Sequence, residues 1–175
     1  MTATIYLVDP ATGTVIRSFS APASSPNGLA WDGRTLWISD GSACFIYLVD
    51  PATGTVIRSF SAPATASRGL AWDGRTMWVS DSGTHLIYQV DPATGTVIRS
   101  FSAPAIGDPR ITWTERSLYI GDENTDLIYQ VDPATGTVIR SFSAPSASTR
   151  GIVWGGRTMW VSDSGTDLIY QISVN

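Results

Sequence analysis

The chain has 175 residues, about one domain, with 43% hydrophobic residues, seven tryptophans and only 15% charged residues, the opposite of a disordered composition. Its net charge of −4 comes from 15 acidic residues against 11 arginines and no lysine, without the basic surplus of a nucleic-acid-binding surface. Apolar runs are of strand length, so no membrane span is expected; Met1–Thr4 lacks the regions of a signal peptide, so a soluble chain, cytoplasmic if expressed as given, is expected; and one cysteine, Cys44, excludes an internal disulfide.

Two short runs come first, Ile5–Val8 and Thr14–Phe19, on either side of Asp9-Pro10-Ala11-Thr12-Gly13. Gly28–Trp31 follows, closed by Asp32-Gly33-Arg34, then Leu36–Ser39, Ile46–Val49, the turn Asp50–Gly54 and Thr55–Phe60. Runs rich in β-branched and aromatic residues, punctuated by Gly, Pro, Asp and Ser, are strand and hairpin signals, and no window carries a helical stripe. Four strands per unit, A to D, recur in the same order. A recurs at Gly69–Trp72, Arg110–Trp113 and Gly151–Trp154; B at Met77–Ser80, Leu118–Gly121 and Met159–Ser162. C recurs at Ile87–Val90, Ile128–Val131 and Ile169–Ile172, and D at Thr96–Phe101 and Thr137–Phe142.

The segment Val-Asp-Pro-Ala-Thr-Gly-Thr-Val-Ile-Arg-Ser-Phe-Ser-Ala-Pro occurs unchanged at 8–22, 49–63, 90–104 and 131–145, a period of 41 residues. Such a period with four short strands per unit predicts an all-β propeller of four-stranded antiparallel blades. The chain 1–175 reads as one domain with repeats 5–45, 46–86, 87–127 and 128–168 and a terminal strand 169–172. It opens on C and D and closes on A, B and C, giving 17 strands where four blades need 16. Unpaired sheet edges invite pairing, so the first D is expected to complete the last blade by strand exchange, with one C strand, Ile5–Val8 or Ile169–Ile172, displaced. Bulky inner residues such as Trp31, Trp37, Trp72 and Trp78 hold blades apart at the axis. Closure is therefore expected between two chains, an eight-bladed homodimer rather than a four-bladed monomer.

The blade, Gly-Leu-Ala-Trp-Asp-Gly-Arg-Thr-Leu-Trp-Ile-Ser-Asp followed by Ile-Tyr-Leu-Val-Asp-Pro-Ala-Thr-Gly-Thr-Val-Ile-Arg, resembles NHL-type and virginiamycin lyase-like bacterial propellers. The resemblance covers Ile5 to Ile172 and implies a fold, which hosts enzymes, binding proteins and scaffolds alike. The histidine chemistry of the lyase-like enzymes has no counterpart arrangement here. True WD-repeat signatures are absent from their usual positions. Copy-to-copy identity beyond the needs of packing points to a recently amplified, excised or engineered array.

Variation gathers in the loops entering strand A and in those between B and C, which an up-and-down blade puts on one face; rigid scaffolds present binding surfaces in this way, and drift in tolerant loops gives the same pattern. Asn27, Arg68, Arg110 and Arg150, with Asp108 nearby, are the candidate ligand-binding residues, since arginines pair with carboxylate or phosphate; solvated arginines or pairing with neighbouring acids is the plainer reading. Asp40, Asp81, Asp122 and Asp163 close strand B and are expected to accept backbone N–H groups, as are Asp9, Asp50, Asp91 and Asp132 before proline. No catalytic residue, metal site or cofactor is expected: His85 is the only histidine, Cys44 reads as a partly buried thiol, and no motif supplies a nucleophile with its base. The third blade departs most, with Arg110 for Gly, Thr114-Glu115-Arg116 for Asp-Gly-Arg and Tyr119 for Trp, and its A–B hairpin should differ in backbone geometry.

Overall fold

The computed structural model of the chain describes residues 3–174; Met1, Thr2 and Asn175, and with them part of the reading of the N-terminus, lie outside the described residues. Every regular element is a strand, in chain order β1 (Thr4–Val8), β2 (Val15–Ser20), β3 (Pro26–Trp31), β4 (Leu36–Asp40), β5 (Phe45–Val49), β6 (Val56–Ser61), β7 (Ser67–Trp72), β8 (Met77–Asp81) and β9 (Leu86–Val90). They continue as β10 (Val97–Ser102), β11 (Arg110–Trp113), β12 (Leu118–Asp122), β13 (Leu127–Val131), β14 (Val138–Ser143), β15 (Thr149–Trp154), β16 (Met159–Asp163) and β17 (Leu168–Ile172). Among the described residues no helix is long and apolar enough to cross a membrane.

Three antiparallel meanders, β3–β6, β7–β10 and β11–β14, are complete blades; β15–β17 form a three-stranded blade and β1–β2 a two-stranded ribbon. The arrangement is that of a four-bladed propeller. The inner strands β3, β7, β11 and β15 are neighbours in that order. Glycine is required at the first two of these meetings: a Cβ on Gly28 would lie 2.8 Å from the Leu70 backbone nitrogen, and one on Gly69 2.9 Å from that of Ile111.

The core lies between blades. Ile46 of the first blade packs with Leu70, Met77 and Val79 of the second; Ile87 with Ile111 and Leu118; Ile128 with Ile152 and Met159. Full burial of each such side chain contributes about 1.5–3 kcal/mol. The invariant 15-residue segment builds the outer part of each junction. Gly54, Gly95 and Gly136 take left-handed backbone, and a Cβ on them would press into Phe19, Phe60 and Phe101 of the preceding unit. Arg58 and Arg99 donate to the carbonyls of Ala93 and Ala134 in the following turn and sit over Trp37 and Trp78. Thr12, whose repetition has no packing reason in the sequence, exchanges a 2.8 Å hydrogen bond with Thr14 inside its turn. Part of the identity therefore serves the turn and the junction.

The ends remain unjoined within one chain. Among the described residues β2 pairs only with β1, and β17 only with β16, so the first outer strand does not complete the last blade here. Neither copy of strand C is displaced, because β1 and β17 are both paired. Phe19 lies against Gly54, which seats β1–β2 as the outer half of a blade ahead of the first complete one. At the other end a Cβ on Gly151 would meet only the Ser162 hydroxyl of its own blade: no following inner strand approaches it.

Candidate functional site

Asp40, Asp81, Asp122 and Asp163 tie together the two variable loops of each blade. Asp81 accepts the Ala66 N–H at 2.7 Å from the loop entering β7, and the N–H groups of Gly83 and Thr84 from the loop leaving β8. Asp40, Asp122 and Asp163 do the same. All four are buried, and their oxygens are spent on backbone, as a turn residue's are. Both loop sets are thereby held at one end of the blades. The aspartates before proline also cap their turns, each accepting the N–H two residues on.

The inner mouth at this end is built on irregularities. In the first, second and fourth blades the A–B register skips one residue: Pro26 pairs Asp40 and Gly28 pairs Ser39, Ser67 pairs Asp81 and Gly69 pairs Ser80, Thr149 pairs Asp163 and Gly151 pairs Ser162. The skipped residues are Asn27, Arg68 and Arg150. A bulge turns its extra side chain out of the alternation of the strand, here toward a common pocket of about 460 Å³ whose lining includes Asn27, Arg68, Arg110 and Arg150. The third blade has no bulge there, and Arg110 enters from the position that is glycine elsewhere.

The three arginines converge on one carboxylate. Asp108 lies 3.0 Å from Arg68 Nε, 3.7 Å from Arg110 and 4.0 Å from Arg150. Glu123 pairs with Arg150 at 2.7 Å. Serines on the B–C loops hold two of the guanidiniums, Arg68 Nε donating to Ser82 Oγ and Arg150 Nε to Ser164 Oγ. Arg110 donates from Nη1 to the Arg68 carbonyl at 3.3 Å, while its Nε, buried, has no hydrogen-bond partner. Burial lowers the Arg110 pKa; Asp108 opposes that shift, and Arg68 and Arg150 add to it. The group stays a cation. Asn27 stands apart from this network, donating to the Ser67 carbonyl at 3.2 Å.

The structure thus brings Arg68, Arg110, Arg150 and Asp108 into one network, places Asn27 beside the same pocket, and adds Glu123, Ser82 and Ser164. The bulges had a sequence signal, Asn or Arg directly before the glycine of strand A, since a glycine inside a strand marks a bulge. Glu123 had none. His85 is exposed on a B–C turn, at the left-handed position that Cys44, Asp126 and Asp167 hold in the other blades. Cys44 is partly buried, its thiol directed at the Thr65 carbonyl. Among the described residues no cluster of His, Cys, Asp or Glu could hold a metal ion. In the third blade, Thr114 and Ser117 close the hairpin without the left-handed residue that Gly33, Gly74 and Gly156 supply, so this turn does differ.

No family model matches the chain, and no curated protein matches it. Solved structures do share the fold. A glutaminyl cyclase from Myxococcus xanthus superposes with a TM-score of 0.80 at 16% identity, over 98% of this chain and 83% of that one. Virginiamycin B lyase from Staphylococcus aureus gives 0.65 at 16% identity, over 96% and 58%. The computationally designed protein Ika4 gives 0.60 at 12% identity, over 89% and 96%. The chain thus spans under three-fifths of that lyase. Enzymes and a designed protein share this fold with the chain, and at such identities the likeness concerns the fold alone.

Proposed function

We propose that the chain is a non-catalytic propeller module of NHL-type blades that closes head to tail with a second copy into an eight-bladed ring and offers its variable loop face as a binding surface. One observation carries the reading. Ile46, Ile87 and Ile128 are wholly buried, whereas their equivalent Ile169 is 70% exposed. The complementary residue is bare at the other end: Leu29 is 50% exposed, against 3% for Leu70 and Ile111. At each interior junction these two positions share one core cluster, so Ile169 of one copy fits Leu29 of the next. The unpaired edges of β2 and β17 are sites for strand addition. Such a head-to-tail contact closes when its rotation sums to a full turn.

The mouth favours binding over catalysis because its charges are cations and paired acids, and the one histidine, His85, is exposed on the turn and takes no part in the arginine network. The copy-to-copy identity and the likeness to a designed propeller support an engineered or excised array. Light scattering tests the ring: twice the chain mass of 18.7 kDa is expected, and a monomer at all concentrations overturns it. A second reading, closure of a single chain into a four-bladed ring with one C strand displaced, is favoured by the 0.80 superposition on a chain little longer than this one. It predicts the monomer mass.

A further inference from the structure

We infer that the arginine mouth is a receptor site for a carboxylate, with Asp108 as its built-in competitor. Three guanidiniums face two carboxylates, so the network carries one positive charge beyond what its own acids neutralise. Each guanidinium has five N–H donors in a planar fork, and the acceptors within reach are few: Asp108, Glu123, two serine hydroxyls and one carbonyl. The arrangement is built rather than incidental. Arg68 and Arg150 arrive on backbone bulges, their Nε atoms fixed by Ser82 and Ser164. Arg110 is nine-tenths buried behind them with an Nε that nothing satisfies, and an unsatisfied buried donor is costly.

Arg150 is the open arm, its side chain 47% exposed, with Arg68 at 32%. A planar monoanion accepting from these two outer forks neutralises the excess charge and completes their hydrogen bonding, with Arg110 strengthening the field from below. A phosphate, with more than one negative charge at neutral pH (about 1.5 to 2 as a monoester), overbalances one excess positive charge. All three arginines belong to one chain, so the inference stands or falls independently of ring closure.

The probe is sodium acetate in a chloride-free buffer of low ionic strength, followed by nuclear magnetic resonance on the arginine Nε–H signals, with inorganic phosphate in parallel. Saturable shifts of the Arg68 and Arg150 signals are expected with acetate. Arg150→Gln is expected to weaken acetate about tenfold, the loss of one charge-assisted pair. Asp108→Asn, which removes the competitor while keeping its shape, is expected to tighten acetate about tenfold. Circular dichroism checks that each variant is folded, and Arg68→Gln, on a half-buried side chain at the mouth, replaces Asp108→Asn if the latter fails to fold; it is expected to weaken acetate as Arg150→Gln does. No saturable shift, an unchanged affinity in folded Asp108→Asn, or phosphate binding more tightly than acetate each overturns the assignment.

Discussion

Replacing Gly121 by serine, the residue at that position in the other three blades, is expected to destabilise the protein. In those blades strand A carries glycine opposite the serine, and a Cβ on Gly28, Gly69 or Gly151 would stand 2.8, 2.9 or 2.8 Å from the hydroxyl of Ser39, Ser80 or Ser162. A Cβ and that hydroxyl cannot share the space. The third blade carries the Cβ, on Arg110, and its cross-strand partner is Gly121. A Cβ on Gly121 would itself come within 3.3 Å of methyl groups of Ile152 and Thr149, so an introduced serine has no open side to turn toward. Overpacking of this kind costs about 1–3 kcal/mol. The double variant R110G/G121S restores the pair found in the other blades. There the hydroxyl accepts the glycine N–H, at 3.0 Å in the first blade and 2.8 Å in the second, a bond contributing about 1 kcal/mol. Urea unfolding followed by tryptophan fluorescence, on the parent, both single variants and the double variant, closes the cycle. A favourable coupling of about 1–3 kcal/mol is expected. If G121S is as stable as the parent, or the two effects add within about 0.5 kcal/mol, the steric coupling of the two positions is wrong.

Two further outcomes follow from the junctions and the turns. Ile128→Ala empties a wholly buried site and is expected to cost about 2–5 kcal/mol; Ile169→Ala should cost under about 0.5 kcal/mol in dilute, dissociated chains, as an exposed position does, while weakening self-association at least tenfold, read by light scattering across a dilution series. Asp73 accepts from the backbone and hydroxyl of Thr76 and from the Trp78 indole at 2.9 Å; burial raises its pKa, the hydrogen bonds from Thr76, Arg75 and Trp78 outweigh that, and the net shift is downward. A carboxylate depressed in the folded state binds more protons when unfolded, so its contribution is present above the unfolded value of about 3.9 and is lost as pH falls through the lower folded value. Asp73→Asn should flatten the acid limb of a stability–pH curve below about pH 4 and leave its slope near neutrality unchanged.

The blades were legible because the signals are local. Each strand run is bounded by turn chemistry, and the Asp-Pro-Ala-Thr-Gly turn specifies its own left-handed glycine. The aspartates closing strand B were legible for the same reason, since backbone N–H groups two and three residues on donate to them. The strand bounds were not: β3 begins at Pro26 rather than Gly28, because past the bulge at Asn27 the ladder resumes with Pro26 opposite Asp40. The convergence on Asp108 was not legible either. Its partners stand 40 and 42 residues away in neighbouring blades, and only the rotation between blades brings them together.

Repetition also sorts what each residue is for. Where all copies agree, as in the phenylalanine and arginine of strand D, the residue serves a junction that recurs, and a change in one copy would break one junction only. Where one copy departs, compensation shows which departures belong together. Arg110 replaces a glycine whose backbone elsewhere touches the next inner strand, and the Ser-to-Gly change at 121 removes the clash that the arginine creates. The same blade supplies Asp108 and Glu123, the two acids that face the arginines of its neighbours. Drift scatters single changes. Four changes in one blade that make steric and electrostatic sense only together mark the third blade as the organising unit of the mouth, and tests of binding should begin there.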